Sequence, residues 1–345
     1  MSYKRFDQED VVVGAESVTS AIWTGNSHTL ESFYISSTQA ASTSGDYYYT
    51  VYQEPFTSDA AEMQFSLAYA DKKGSGSLYY NALVPGVSHT STVYGQYRSL
   101  VLGDEEQDFK FGGIPSEYFY VISVDRARYK EKLLPGTFSL TLTHTDLSVQ
   151  AEPMTITLVD DSNFVSTVSY ADSGRIFELI TGSLTNRHES LNANGYTATK
   201  GSYGKFLPDV GIILLNGAAL DEPIATGGIK LSTSRVRGAD GGNLNRLILS
   251  MNSGSAFRLN AEETISSNFV FVRARNSEFN YTTNPSAITG SGELRHDTMI
   301  NSPQAYATTV GLYNDNNDLL AVAKLSRPLL KDFTKEALVR IKLDF

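Results

Sequence analysis

The sequence predicts a mainly β protein, built from antiparallel β-sandwich-like domains with one to three short helices. Three observations support this fold class. Many short segments are rich in β-branched and aromatic residues, and several alternate between apolar and polar side chains. Clusters of Ser, Gly, Asp and Pro separate these segments, as turns require. Residues that favour strands and turns predominate over strong helix formers; there are 20 Tyr and 17 Phe.

The first half of the chain contains five strand segments and one clear helix. The strands are SFYISST (32–38), DYYYTVYQ (46–53), AEMQFSLAYA (61–70), EYFYVISV (117–124) and TFSLTLTH (137–144). STVYGQYRSLVLGD (91–104) predicts an amphipathic helix, because it begins with Ser-Thr, spaces its apolar residues helically and reaches Gly103. Shorter helices are predicted at DRARYKEKLLPG (125–136) and at 183–194.

The second half continues the strand pattern. Its segments are MTITLVDD (154–161), GRIFELITGSL (174–184), VGIILLNG (210–217), IKLSTSRV (229–236), NRLILSM (245–251) and NFVFVRAR (268–275). Residues 307–325 predict a hairpin with its tip at 314–317, because Asn and Asp tolerate the left-handed conformation of tight turns. EALVRIKLDF (336–345) predicts a last strand, with alternating apolar and charged residues.

Length and turn signals suggest two domains. A chain of 345 residues is long enough for two, and a boundary is predicted near 148–153. This gives an N-terminal β-rich domain over 1–150 and a C-terminal β-rich region over 151–345. A further boundary within that region is predicted near 225–242, where glycine-rich turns flank a strand.

Net charge and cysteine content exclude several classes of partner and of functional site. The net charge is −10, so a phosphate backbone would be repelled and nucleic acid is not expected as a partner. The absence of cysteine excludes disulfides, thiol nucleophiles and thiolate metal sites. The N-terminal segment has acids before its short apolar run, unlike a signal peptide, and no apolar run is long enough for membrane insertion.

No motif indicates catalysis, a cofactor or a metal. The five histidines lie more than four residues apart, and no Gly-x-Ser-x-Gly elbow occurs. GADGGNLNRL (238–247) lacks the ending of a phosphate-binding loop, and DNND (315–318) lacks the Gly and Glu of a calcium loop. We therefore expect a protein that is not an enzyme and has no catalytic, cofactor-binding or metal-binding residues.

The densest charge cluster, VDRARYKEK, lies in 124–132. Its candidate interaction residues are Asp125, Arg126, Arg128, Lys130, Glu131 and Lys132. The cluster could be solvated surface, or a salt-bridging surface that fixes register within the fold or toward a neighbouring protein. Arg340, Lys342 and Phe345 of the last strand are further candidates, since a terminal strand can pair with another sheet edge.

Several segments together resemble a virion structural protein of contractile-tailed phages, of the cyanobacterial myovirus type. They include AEMQFSLAYADKKGSGS, YGQYRSLVL, FKFGG, YFYVISVDRARYKEKLLPGTFSLTL, ITLVDDS and the closing ATTVGLYNDNNDLLAVAKLSRPLLKDFTKEALVRIKLDF. The resemblance covers most of the chain. It implies a non-enzymatic assembly component of the virion, most simply a baseplate wedge or tail protein.

That resemblance also implies partners and location. The partners would be other tail, baseplate or neck proteins, with the chain present in several symmetric copies and assembled in the host cytoplasm. Three alternatives stay open. One is a neck or head-decoration protein, and another is a receptor or fibre module that binds host glycan through exposed Tyr residues and Trp23. The third is a β-rich enzyme such as a polysaccharide depolymerase, although the chain shows neither the repeats nor the clustered acids typical of one.

Overall fold

The computed structural model describes residues 3–37, 47–77, 88–144, 155–186, 196–197, 199–236, 242–281 and 284–344. Strand accounts for 44% of the described residues and helix for 14%, which confirms the mainly β prediction. The strands are β1 (Val11–Ala21), β2 (Thr29–Leu30), β3 (Tyr34–Ser36), β4 (Tyr48–Tyr52), β5 (Met63–Asp71), β6 (Lys110–Phe111), β7 (Ile114–Pro115), β8 (Tyr118–Val124), β9 (Lys132–Leu133), β10 (Ser139–Thr143), β11 (Thr155–Asp160), β12 (Ser169–Ala171), β13 (Gly174–Thr181), β14 (Gly204–Leu207), β15 (Ile212–Asn216), β16 (Phe257–Arg258), β17 (Asn260–Ala274), β18 (Ala305–Tyr313), β19 (Leu319–Lys331) and β20 (Ala337–Asp344).

Four α-helices occur among the described residues, one more than the largest number predicted. They are α1 (His89–Leu102), α2 (Gly217–Leu220), α3 (Asn243–Gly254) and α4 (Thr298–Asn301). The predicted helix at 91–104 corresponds to α1, which Ser88 caps by accepting a hydrogen bond from the Ser91 amide. Gly103 ends it in the left-handed conformation, at φ 65°, as a C-terminal glycine does.

The chain divides into two compact units. Unit 1 comprises Met1–Ser17 and Thr264–Phe345, and unit 2 comprises Val18–Glu263. This division differs from the predicted domains 1–150 and 151–345. β10 and β11 lie on either side of residue 150 and pair in one sheet, with Ser139 opposite Val159. The predicted boundary itself, 148–153, lies outside the described residues.

Unit 2 contains one large sheet, in the order β2-β16-β10-β11-β13-β14-β15-β8-β5-β4-β3, with β12 paired to β13. The sheet curls so that distant strands face one another. Phe65 of β5 and Phe257 of β16 lie far apart in strand order, yet their ring centroids are 5.5 Å apart. Trp23 packs against Phe257 at 4.9 Å. Antiparallel strands facing each other across an apolar core give the sandwich-like arrangement predicted from sequence.

Strand β8 shows why the centre of this sheet is apolar throughout. Tyr120, Ile122 and Val124 belong to the main core of unit 2, which also buries the inner faces of β10, β11 and β13. Phe119 and Val121 point to the other face, where α1 covers a second cluster. A strand buried on both faces has no polar alternation.

Unit 1 is a smaller pair of layers. β17 and β20 pair antiparallel over eight residues, with Val270 opposite Ile341, and β1 lies on the other side of β17. The predicted hairpin at 307–325 is confirmed as β18 and β19, and its inner face packs on this sheet through Leu312. Val339 and Leu343 flank Ile341 on the inward face, as their alternation predicts.

Two predicted strands in unit 2 are wrong. Residues 229–236 contain no strand, because Lys230 (φ 49°) and Ser232 (φ 58°) adopt the left-handed conformation. The Thr233 amide then donates to the Asp221 carboxylate at 2.8 Å and not to a neighbouring strand. Residues 245–251 lie in α3, not in a strand. Of the helix predicted at 183–194, residues 183–186 form no helix, and 187–194 lie outside the described residues.

Candidate functional site

The charged cluster 125–132 forms the corner that follows β8. Asp125 caps a short 3-10 turn, Arg126–Arg128, by accepting from the Ala127 amide at 3.3 Å. This turn replaces the longer helix predicted for the segment. It ends at Tyr129, and the chain then enters β9, where Leu133 pairs with Ala261 of β17.

Arg126 holds the corner closed from within. Its guanidinium donates to the carbonyl oxygens of Lys130 and Glu131, the second at 3.1 Å. It also lies over the Tyr129 ring, 4.5 Å from the centroid, in a cation–π contact. Arg126 therefore acts on its own loop.

Arg128 joins the corner to two other segments of unit 2. Its Nη1 donates to Glu62 at 2.7 Å and to the Thr24 hydroxyl at 2.9 Å. The Arg128 side chain is only 17% exposed. The hydrogen bond from Thr24, followed by that from Arg128, lowers the pKa of Glu62. The contact thus favours an ionised carboxylate beside a fixed guanidinium.

The two lysines of the corner reach the start of β17. Lys130 lies 2.8 Å from Glu263 and is 79% exposed, so this pair is well solvated. Lys132 lies 3.7 Å from Glu262 and 3.6 Å from Glu131. The structure thus supplies partners for the cluster within unit 2, as a register-fixing surface within the fold requires. A role toward a neighbouring protein stays a prediction.

A buried carboxylate fixes the turn that closes the corner. The Gly136 amide donates to both oxygens of Asp160, at 2.9 and 3.0 Å, and Gly136 has φ 82°. Burial raises the pKa of Asp160, and its hydrogen bonds oppose that rise. The neighbouring Asp161 accepts from the Glu178 amide, and burial raises its pKa to about 6. Asp160 thus stabilises the turn, whereas Asp161 contacts β13 at Glu178; nothing in their sequence spacing predicted these contacts.

The last strand presents its charges on the outward face of unit 1. The guanidinium of Arg340 lies 4.5 Å from the centroid of the Phe269 ring. Lys342 contacts Glu16 at 2.9 Å and Asp344 at 3.2 Å. Phe345 lies outside the described residues. β20 forms one margin of the sheet β1-β17-β20, so one of its two edges is paired with β17.

Exposed apolar side chains concentrate in unit 1, a feature that the sequence analysis did not identify. Among the described residues, fourteen large apolar residues of unit 1 are exposed, against eight in unit 2, which is more than twice as long. Those of unit 1 are Tyr3, Phe6, Val11, Val12, Val13, Tyr281, Leu294, Ile300, Tyr306, Leu319, Leu320, Val322, Phe333 and Leu338. Exposed apolar side chains of this kind supply protein contact area where they lie together in a patch.

Net negative charge, in contrast, is concentrated in unit 2. Unit 1 contains 11 basic and 12 acidic residues, whereas unit 2 contains 17 and 26. Nine of the chain's ten net negative charges therefore lie in unit 2. A nearly neutral, apolar surface associates more readily than a strongly acidic one, because like charges repel at short range.

Described residues of unit 1 line two hollows. The larger has a volume of about 540 Å³ and is lined by Tyr3, Phe279 and Tyr281, among others. The ammonium of Lys331 fixes one wall by donating to the Asn276 carbonyl and the Asn280 side chain, at 3.1 and 2.8 Å. The smaller, about 370 Å³, lies beside Leu338.

Trp23 does not have the exposure that the glycan-binding alternative assumed. Its side chain is 2% exposed and packs between Phe65 and Phe257, so it cannot stack on a sugar. Two histidines also serve the fold: Nδ1 of His28 lies 2.6 Å from Asn260, and Nδ1 of His144 lies 2.6 Å from the Ile229 carbonyl oxygen.

Within the residues that the structure describes, no three His, Cys, Asp or Glu side chains are placed to hold a metal ion. No described helix combines the length and apolar character needed to cross a membrane. Comparison of the chain with models of known families, with curated proteins and with solved structures found no match. Fold and surface thus define a mainly β protein whose smaller unit is rich in exposed apolar side chains and strand edges.

Proposed function

We propose that the protein is a non-enzymatic structural component of a contractile phage tail, part of the baseplate wedge, that acts by packing against other tail proteins. The observation that carries the proposal is the concentration of exposed apolar side chains in unit 1, beside strands with one edge unpaired among the described residues. Such edges accept strands from partner proteins, and the apolar side chains supply contact area. The resemblance of the sequence to virion proteins supports the tail as the setting.

The two units have complementary roles in this proposal. Unit 2 has an extensive core of buried aromatic and aliphatic residues and supplies a rigid body. Unit 1 buries little and presents its apolar side chains outward. A tail component that transmits a rearrangement needs a body that keeps its shape and a surface that binds neighbours.

The proposal can be tested with one exposed leucine in each unit. Leu338 on β20 is 65% exposed, and Leu249 on α3 is 57% exposed. We expect Leu338→Asp to abolish incorporation into assembled tails when the chain is co-expressed with tail proteins, and Leu249→Asp to leave it unchanged. Equal incorporation of both variants would contradict a contact role for unit 1. Binding of the purified protein to a glycan array, without association with tail proteins, would favour the receptor alternative.

A further inference from the structure

We propose that the free edge of β20 binds an extended segment of a partner protein, which joins the sheet as an antiparallel strand and places an acidic side chain opposite Arg340. The bound segment alternates apolar residues, which face inward, with outward residues of which the central one is Asp or Glu. This inference rests on the proposed function for the role of unit 1 as the contact unit. It deepens that function by naming the chemistry of one partner.

The edge of β20 is regular and open to pairing. β20 pairs with β17 through eight consecutive residues, from Ala337 to Asp344, without a bulge or a shift in register. Among the described residues, no strand pairs with its other edge, and no backbone group outside its pairing with β17 bonds to it. An edge of this kind presents N–H and C=O groups that an extended segment can bind.

Side chains of β20 alternate between the two faces of the sheet. Val339 is partly buried beside Ile341 on the inward face. Leu338, Arg340 and Lys342 are exposed on the outward face. Inward residues of an added strand would extend the apolar layer beyond Val339, so they should be apolar. Its outward residues would meet one leucine and two cations, so acidic residues suit that face.

Two of the three cations on the outward face already have acidic partners. Lys342 lies 2.9 Å from Glu16. Arg273 of β17 lies directly opposite Leu338 and 2.8 Å from Glu336. The third cation, on β20 between Leu338 and Lys342, forms no ion pair among the described residues. Its charge is therefore the one that a partner can neutralise.

That third cation is Arg340, and an aromatic ring holds its guanidinium in place. The guanidinium carbon lies 4.5 Å from the centroid of the Phe269 ring, in a cation–π contact. Arg340 donates no hydrogen bond to a described residue, so its N–H groups stay available. A carboxylate on a neighbouring strand can accept two of them in parallel, which a lysine side chain cannot offer. A basic residue in the same place would be repelled.

A hollow beside β20 provides room for an apolar side chain of the partner. It has a volume of about 370 Å³ and is lined by Arg273, Glu336, Ala337 and Leu338. Leu338 itself is 65% exposed. An apolar outward residue opposite Leu338 would cover this leucine and fill part of the hollow. Acidic and apolar positions of the partner are thereby assigned to particular residues of β20.

A second copy of the chain fits this edge poorly. The two-fold registers that pair the most residues of β20 with its own copy are centred on Arg340 and on Ile341. They place Arg340 opposite Arg340 or opposite Lys342. Like charges directly opposite one another destabilise a sheet. The occupant that matches the edge is therefore a segment of a different protein.

Binding of a model strand tests the preference for an acid. The probe is a soluble, fluorescently labelled peptide containing Thr-Val-Glu-Val-Leu; antiparallel pairing places its Glu opposite Arg340 and its Leu opposite Leu338. In fluorescence anisotropy with the full chain, we expect it to bind about fivefold more tightly than the same peptide with Lys in place of Glu. One attractive pair then becomes repulsive. The preference should weaken at high salt.

Charge exchange on the protein locates the site. Arg340→Glu should reverse the preference, so that the Lys peptide binds more tightly, and Arg340→Lys should retain it. Arg327→Glu, an equal charge change at an exposed site on β19, should leave the preference unchanged. The Glu peptide with N-methylated backbone amides should not bind, because strand addition requires those N–H groups.

Equal binding of the Glu and Lys peptides, or no binding of either, would overturn the inference. A preference that Arg340→Glu leaves unchanged would do the same. A dimer of the chain that the Glu peptide dissociates would identify a second copy as the occupant and would also overturn it. None of these results decides the tail-assembly proposal, which incorporation of Leu338→Asp and Leu249→Asp tests separately.

Discussion

Unit 2 and unit 1 are built from the same kinds of residue but bury them very differently. In the described residues, the main core of unit 2 contains 36 buried residues, while the core of unit 1 contains three: Val270, Leu312 and Ile341. Stability grows with buried apolar area, so unit 2 should fold as a rigid body and unit 1 should be marginal alone. In the proposed tail role, contact with partner proteins would add to the stability of unit 1.

The largest effect is expected in the core of unit 2. Phe257 is fully buried and contacts Trp23 and Phe138. Phe257→Ala should lower the free energy of unfolding by about 3–5 kcal/mol, because the residues that surround the resulting cavity lose their contacts with the ring. Urea denaturation measures the change, with exposed Phe56→Ala as the control. A loss below about 1 kcal/mol would show that the core tolerates a cavity there.

A smaller but more local effect is expected in unit 1. Ile341→Ala removes one of three core residues and should cost about 2–4 kcal/mol. Hydrogen exchange should then quicken in β17, β18, β19 and β20 and stay slow in β5 and β8. Leu338→Ala, on the solvent face of the same strand, serves as control. Uniform acceleration across both units would show that they unfold together, against the comparison drawn above.

The pH dependence of unit 2 should report Asp161. Its pKa in the folded protein, about 6, lies above the usual value near 3.9, so the folded state binds the proton more tightly. Its contribution to stability is complete below the lower value and is lost as pH rises through about 6. Asp161→Asn stays neutral and should exceed the wild type by about 2 kcal/mol at pH 8 and match it near pH 3.

Unfolding of both proteins at the two pH values would check this expectation, with the exposed Asp172→Asn as control. Equal stability of wild type and Asp161→Asn at pH 8 would refute a raised pKa at this carboxyl.

The smallest effects separate the two kinds of charge in the corner. Arg128→Ala should cost about 1 kcal/mol, because it breaks two charge-assisted hydrogen bonds from a largely buried side chain. Lys130→Ala should change stability by less than about 0.5 kcal/mol, since its ion pair is solvated. Thermal unfolding of the two variants compares them directly. Equal losses would mean that burial does not distinguish the two contacts.

The sequence predicted those parts of the fold in which local pattern and tertiary environment agree. The 307–325 hairpin is one case, since alternation on both strands converges on an Asn-Asp tip. The strand predicted at 245–251 was wrong, although the sequence also contains the spacing of an amphipathic helix. Leu244, Leu247, Ile248 and Met251 recur with helical spacing and are all buried in α3. The prediction followed the short apolar run within 245–251 and not the longer helical spacing.

Other features had no local signal. No residue near Lys230 or Ser232 in the sequence indicates a left-handed backbone. Contacts between 229–236 and other segments, such as that of Thr233 with Asp221, impose this conformation. Turn clusters in the sequence cannot predict a unit whose two segments are as far apart as Met1–Ser17 and Thr264–Phe345. For the candidate site, sequence located the charged corner but not its partners Glu62, Glu262 and Glu263, which lie far along the chain.

The composition of unit 1 from both ends of the chain sets the order in which it can form during synthesis. Glu16 and Lys342 contact each other across 326 residues, and β1 must wait for β17 before it gains a strand partner. At about 5–20 residues per second, synthesis of the 326 residues that separate Glu16 from Lys342 lasts roughly 15–60 s. Unit 2 can fold on the ribosome during this time. The apolar run Val11, Val12 and Val13 therefore stays without its strand partner until β17 has been synthesised, so translation itself delays the formation of the β1-β17-β20 sheet.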